Sequence, residues 1–366
     1  MTGGQHGGLN LGIHGARGLF CLFVVLYHVW NGGLPRVPVP WLVEQAMDTL
    51  RYGVEAFFAI SGYVIFTTMA RNPTPLAFLV NRATRIFPVL WVTILVFIPL
   101  AIIDGETSVT DHLQPAWSFV LILLGNFLAL GPVTPVPVFY GVTWTIGYEL
   151  TFYLLCLAWL AGRQHLRLDL RWPLLVIGLA LLVVNPRGVF FLAGIAVALG
   201  WLDTAPLRRL TALPLVWLVG FLAAWQWAAA AEPPFFAAMT DWSPTHEGAG
   251  AVIALAALTL AMAGIAQGRG ALSRLMTRPV MLWLGTISYS LYLWHPIVLG
   301  CVKFAMNQLG LTGMAGGAAP LLFLALALPP SLVVAHVSQI VLERRLTGAL
   351  RNWQRGRAQQ SAPAVT

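Results

Sequence analysis

Ala16-Arg17-Gly18-Leu19-Phe20-Cys21-Leu22-Phe23-Val24-Val25-Leu26-Tyr27-His28-Val29-Trp30 is an apolar run with one cation near its start and one imidazole near its end. Read as a helix, it places Arg17 and His28 eleven residues apart, almost three whole turns, so both lie on one face. They are separated by ~16 Å along the axis at about 1.5 Å per residue. In lipid such a stripe is costly, and residues of this kind face a cavity and mark a pathway or an active site. Taken alone, the pair also fits a plainer role, with Arg17 anchoring one interface and His28 reaching the other.

The rest of the chain supports the membrane reading. Of its 366 residues 58% are hydrophobic and only 9% charged, against about 25% charged in soluble domains. Apolar runs recur at roughly 13–31, 52–69, 86–103, 115–130, 143–162, 172–184, 187–202, 213–231, 248–267, 282–304 and 318–342. The N-terminal fifteen residues are polar and Gly-rich, with no cleavage pattern after the first run, so that run is expected to remain as a helix. The net charge of +8 resides in short loops and the C-terminal tail. Topology needs cations there, and no nucleic-acid partner is implied. Cys21, Cys156 and Cys301 lie in separate runs; they form neither a disulfide framework nor a metal-ligand spacing.

Charge placement tests the span count. Arginines cluster at 71/82/85, 163/167/171, 208/209, 269/274/278 and 344/345/351/355/357, whereas Asp104/Glu106/Asp111 and Glu232/Asp241/Glu247 form acidic connections. The positive-inside rule assigns the arginines to the cytoplasm. Three runs then join the cytoplasmic Arg85 and Arg163, and an odd number cannot do so. The short 115–130 run, followed by Gly131-Pro132-Val133-Thr134-Pro135, is therefore read as re-entrant, which is allowed where protein or water surrounds it; reading 172–184 and 187–202 as one bent element would break this parity. The expected fold is all-α: a polytopic membrane helical bundle of about ten transmembrane helices plus one re-entrant segment, with no soluble domain. Residues 1–12 form a polar cytoplasmic N-terminus, 13–345 the membrane domain, and 346–366 a basic polar cytoplasmic tail. No repeat of the kind that halves a transporter is visible.

Four further stretches carry polar chemistry. Gly53-Val54-Glu55-Ala56-Phe57-Phe58-Ala59-Ile60-Ser61-Gly62-Tyr63 places Ser61 deep in the second span, where packing is the simpler role. In Arg82-Ala83-Thr84-Arg85 two guanidiniums share a helical face, a good phosphate clamp as well as an ordinary cytoplasmic anchor. Thr143-Trp144-Thr145-Ile146-Gly147-Tyr148-Glu149-Leu150-Thr151-Phe152-Tyr153 holds a carboxylate deep in an apolar run. Glu149 must be paired, protonated or lining water. Ser288, Tyr292 and His295 recur at i, i+4, i+7 and make one polar face.

Together these stretches resemble the acyltransferase 3 family of integral membrane acyltransferases. The resemblance rests on the Arg-x10-His spacing of Arg17 and His28, Gly-Val-x-x-Phe-Phe-x-x-Ser-Gly over 53–62 and Arg-x-x-Arg-Ile-x-Pro over 82–88. Trp-Thr-x-x-x-Glu-x-x-Phe-Tyr over 144–153, Ser-Tyr-x-x-Tyr-Leu-x-His over 288–295 and Glu343-Arg344 complete it. It implies ten transmembrane helices; some members carry a fused extracytoplasmic esterase-like domain, which this chain is expected to be too short to hold. It also implies transfer of an acyl group, acetyl by default, from cytoplasmic acyl-CoA to a hydroxyl of a glycan, lipid-linked glycan or glycoside. A bacterial cytoplasmic (inner) membrane location with both termini cytoplasmic follows, without a metal. On this reading Arg17, Arg82 and Arg85 meet the donor's phosphates, and His28 is the general base. Glu149 orients or charge-stabilises His28 or carries a second proton, and Ser61, Tyr153, Ser288, Tyr292 and His295 contact substrate. The competing classes are a proton-coupled transporter built on the buried His and Glu, and a scaffold without chemistry.

Overall fold

The computed structural model describes residues 5–6, 9–131, 134–167, 170–184, 186–229, 246–346 and 348. The terminus expected over 1–12 is therefore described only in part, and most of the tail over 346–366, with Glu232 and Asp241, lies outside the described residues. Beyond a two-residue strand pair, Gln5–His6 with Leu9–Asn10, the described architecture is helical. We number α1 Leu11–Trp30, α2 Trp41–Asp48, α3 Gly53–Met69, α4 Pro75–Asp104, α5 Ala116–Phe127, α6 Trp144–Ala161 and α7 Arg171–Val184. The numbering continues with α8 Phe190–Ala198, α9 Pro214–Ala229, α10 His246–Ala266, α11 Pro279–Gln308 and α12 Ala319–Ser338.

Among the described residues, six helical stretches are long and apolar enough to cross a membrane: 11–30, 41–69, 75–104, 141–166, 248–266 and 311–345. Shorter apolar helices cover 116–127, 172–182, 186–198 and 214–228. Large apolar side chains such as Leu95, Ile103, Val176, Val219, Val252, Leu321 and Val333 point outward, while Glu55, Thr93, Asn126, Ser288, Ser290 and His295 are buried. Apolar outside and polar inside is the arrangement expected of a chain dissolved in hydrocarbon, where each polar group needs an internal partner.

The helix starts are written in the local sequence. Asn10 caps α1 by accepting the Ile13 N–H at 3.1 Å, and its amide donates to Ala266 O at 2.8 Å. Thr74 caps α4, Pro75 occupies its first turn, and Gly105 ends it in the left-handed region at φ 75°.

α1 and α11 run parallel and touch backbone to backbone. A Cβ on Gly285 would lie 2.1 Å from the His14 carbonyl oxygen, so only glycine permits this approach. The crossing continues through Cys21 Sγ–H to Ser288 O at 3.3 Å and reaches His28 beside His295. α3 and α8 touch in the same way: a Cβ on Gly194 would lie 1.8 Å from Ala59 O.

The segment expected to be re-entrant folds back on itself. α5 packs along α4, where the Trp91 indole donates to Phe127 O at 2.9 Å. The chain then returns beside α5, held by Asn126. Its amide donates to Ile122 O and Pro137 O at 2.9 and 2.8 Å, and its Oδ1 accepts the Phe139 N–H at 2.9 Å.

Candidate active site

One cavity gathers most of the residues that the sequence singled out. Its lining includes Arg17 from α1, Phe57 and Ser61 from α3, Arg82 and Arg85 from α4, Thr145, Glu149 and Tyr153 from α6, and Ser288 and Tyr292 from α11. At about 60 Å³ the cavity has room for more than one water, which needs 10–15 Å³ or so. Three guanidiniums face one carboxylate in this lining, so the space is set to receive an anion.

Glu149 is the hub of the cavity's polar wall. Its Oε1 accepts the Ser61 hydroxyl at 2.8 Å and also the Tyr153 hydroxyl. Tyr153 sits one turn below Glu149 on α6, which is why their side chains meet. Arg82 donates to Thr68 Oγ1 at 3.2 Å and lies 5.6 Å over the Tyr153 ring and 5.7 Å over that of Phe78. Arg17, from α1, lines the same wall.

The two imidazoles lie beyond the cavity, past its Phe57–Tyr292 end. Those two rings meet edge to face at 5.9 Å, and Tyr292 stands 5.9 Å from His295. The Tyr292 hydroxyl accepts from Thr145 at 3.1 Å and donates to Val142 O at 3.3 Å. Behind it, His28 and His295 pair with ring centroids 5.0 Å apart and His295 Nε2 3.3 Å from His28 Nδ1. His295 is fully buried and His28 is half-buried. Two expectations change as a result. Glu149 bonds Ser61 and Tyr153 rather than His28, so the partner of His28 is an imidazole and not a carboxylate. His295, with no exposed surface, is a neighbour of His28 rather than part of the cavity's lining.

Several participants escaped the sequence reading of the site. Glu55 is fully buried, with Arg187 Nη1 3.4 Å from Oε1, and that guanidinium lies 5.4 Å over Trp144. The signal available was Arg187 itself, a lone cation between two apolar runs. Ser290 donates to Glu343 at 2.6 Å and Tyr289 donates to Ile86 O at 2.7 Å, tying α11 to the C-terminal end and to α4. Glu343 lies in a π-helical stretch, Gln339–Leu346, a form that often marks functional sites. Among the described residues, no group of three or more His, Cys, Asp or Glu side chains is placed to hold a metal ion.

The multi-pass bundle thus holds a cation-lined internal cavity with an imidazole pair nearby. Comparison with known proteins makes the assignment. The acyltransferase 3 profile, an acyltransferase domain, matches residues 10–337, and the chain belongs to that family. The chain is 28% identical over 314 residues to Nodulation protein 10 of Rhizobium leguminosarum bv. viciae, covering 75% of this chain and 79% of the relative. It is 27% identical over 320 residues to the exopolysaccharide production protein ExoZ of Rhizobium meliloti (strain 1021), covering 84% and 91%. It is 25% identical over 339 residues to YrhL of Bacillus subtilis (strain 168), whose name marks it as a candidate peptidoglycan O-acetyltransferase; 81% of this chain and 49% of that protein are covered. No solved structure matches the chain. The protein is a multi-pass membrane O-acyltransferase, and the transporter and scaffold readings are set aside.

Proposed function

We propose that this enzyme moves an acyl group, acetyl in the first instance, from cytoplasmic acyl-CoA to a hydroxyl of an envelope glycan or glycosylated acceptor. His28 acts as general base. The observation that carries the reading is the convergence of Arg17, Arg82 and Arg85 on one cavity, with an imidazole near the other end of the helix that bears Arg17. The cations fit the donor's phosphates. On this reading the donor's arm follows the cavity, and the Phe57 and Tyr292 side chains at its end must turn for the thioester to approach His28. Neutral imidazole suits removal of a hydroxyl proton near pH 7, worth about 10²–10⁴-fold. The proton leaves the acceptor oxygen as that oxygen attacks the thioester carbon, and the CoA thiolate departs. On this reading Glu149 holds Ser61 and Tyr153 in place as the cavity wall, and Ser288 lines the donor's path. The relatives named for exopolysaccharide and for peptidoglycan O-acetylation support a glycan acceptor. About ten crossings, both termini cytoplasmic and an inner-membrane location complete the proposal.

The test is purified protein in nanodiscs with acetyl-CoA labelled on the acetyl group and a mixture of envelope glycans as acceptors. Label is expected on glycan with wild type and not with His28→Ala. Wild-type transfer by a well-folded His28→Ala would reject the base assignment.

A further inference from the structure

We propose that His295 is a positioning residue: its Nε2 lone pair shares with Val24 O the Nδ1–H of His28, which helps hold the tautomer that leaves His28 Nε2 as the base. The inference rests on the reading of His28 as base.

The proton assignment follows from the neighbours. His28 Nδ1 lies 2.8 Å from Val24 O, and His295 Nδ1 lies 3.1 Å from Leu291 O, each carbonyl one turn back on its own helix. A carbonyl oxygen only accepts, so each Nδ1 carries the proton. A neutral imidazole has one such proton, so each Nε2 presents a lone pair. The Nε2 of His295 therefore meets an N–H at 3.3 Å, a matched contact. In the opposite tautomer the bare Nδ1 of His28 would face two lone pairs, on Val24 O and on His295 Nε2.

This arrangement serves the chemistry. When His28 Nε2 takes the acceptor's proton, the ring becomes imidazolium, and its Nδ1–H is already shared by two acceptors that strengthen as the charge forms. An aspartate in this role, as in hydrolase triads, would put a permanent charge inside the bilayer. A neutral imidazole supplies the acceptor without it. Burial of His295 suits such a part: it has no exposed surface, its own Nδ1 is anchored, and Pro296 follows it in α11.

The experiment compares His295→Leu, which removes the lone pair, with His295→Gln, whose side-chain oxygen reaches about the place of Nε2. With acetyl-CoA and the nanodisc assay above, His295→Leu is expected to lower kcat by about 10- to 100-fold, the scale seen when an imidazole that binds a metal loses its orienting partner, with donor KM within about twofold. His295→Gln is expected to recover most of that loss. Nitrogen-15 spectra of histidine-labelled protein, with His28 assigned by difference against His28→Gln, are expected to show Nδ1 protonated and Nε2 bare in wild type. In His295→Leu the Nε2–H form is expected to gain population. Wild-type kcat in His295→Leu overturns the proposal. So does a loss confined to acceptor KM, Gln behaving as badly as Leu, or His28 signals that do not change in His295→Leu. Should the spectra behave as expected while His28→Ala stays active, the positioning holds and the base assignment falls instead.

Discussion

Replacing Arg82 by Ala removes one of the three guanidiniums that line the cavity against the single carboxylate of Glu149. The side chain is already laid out for a ligand, held by Thr68 at 3.2 Å and flanked by the rings of Phe78 and Tyr153. A hydrogen bond to a charged group contributes about 1.5–3 kcal/mol, and each 1.4 kcal/mol or so is tenfold. The donor KM is thus expected to rise roughly 10- to 100-fold with kcat nearly kept. The assay titrates acetyl-CoA and, separately, acetyl-pantetheine, which has the same thioester arm but no nucleotide phosphates. The Arg82→Ala penalty should be large with acetyl-CoA and nearly absent with acetyl-pantetheine. Equal penalties with both donors would refute the phosphate assignment and turn Arg82 into a wall residue. Arg82→Lys is expected to fall between, since a point charge replaces a planar fork.

Other outcomes follow from particular contacts. Glu149→Gln keeps the shape but removes the charge that accepts from Ser61 and Tyr153; weaker positioning should lower kcat about tenfold, read in the same nanodisc assay. Tyr292→Phe loses bonds to Thr145 and Val142 but keeps its ring against Phe57, so a cost near 1 kcal/mol in stability is expected in denaturant or thermal melts. Asn126→Leu leaves the Phe139 N–H without its acceptor, and about 1–3 kcal/mol of lost stability should appear as a lower melting temperature. Gly285→Val drives a side chain into the His14 carbonyl and should abolish recovery of folded protein from membranes.

Much of the cavity was legible because the bilayer restricts where polar groups can go. Arg17, Ser61, Glu149, Tyr153, Ser288 and Tyr292 lay in apolar runs, Arg82 and Arg85 formed a pair just ahead of one, and all eight line one space. The 3.6-residue period placed Arg17 and His28 on one helical face. What stayed hidden was pairing across the bundle. His28 meets a residue 267 positions away, through a close helix approach that depends on Gly285, and no local pattern encodes that register. The Glu55–Arg187 pair was hidden for the same reason. The cavity's end at Phe57 and Tyr292 depends on side-chain shape, which periodicity does not carry.

The central claim is directional: an acyl group enters from the face near Arg82 and Arg85 and leaves from the face near His28. Sealed vesicles with the protein in one orientation, given labelled acetyl-CoA on one side only and acceptor glycan on the other, test it most directly. The account expects labelled glycan only when the donor bathes the Arg82 face; equal labelling from the His28 face would contradict it.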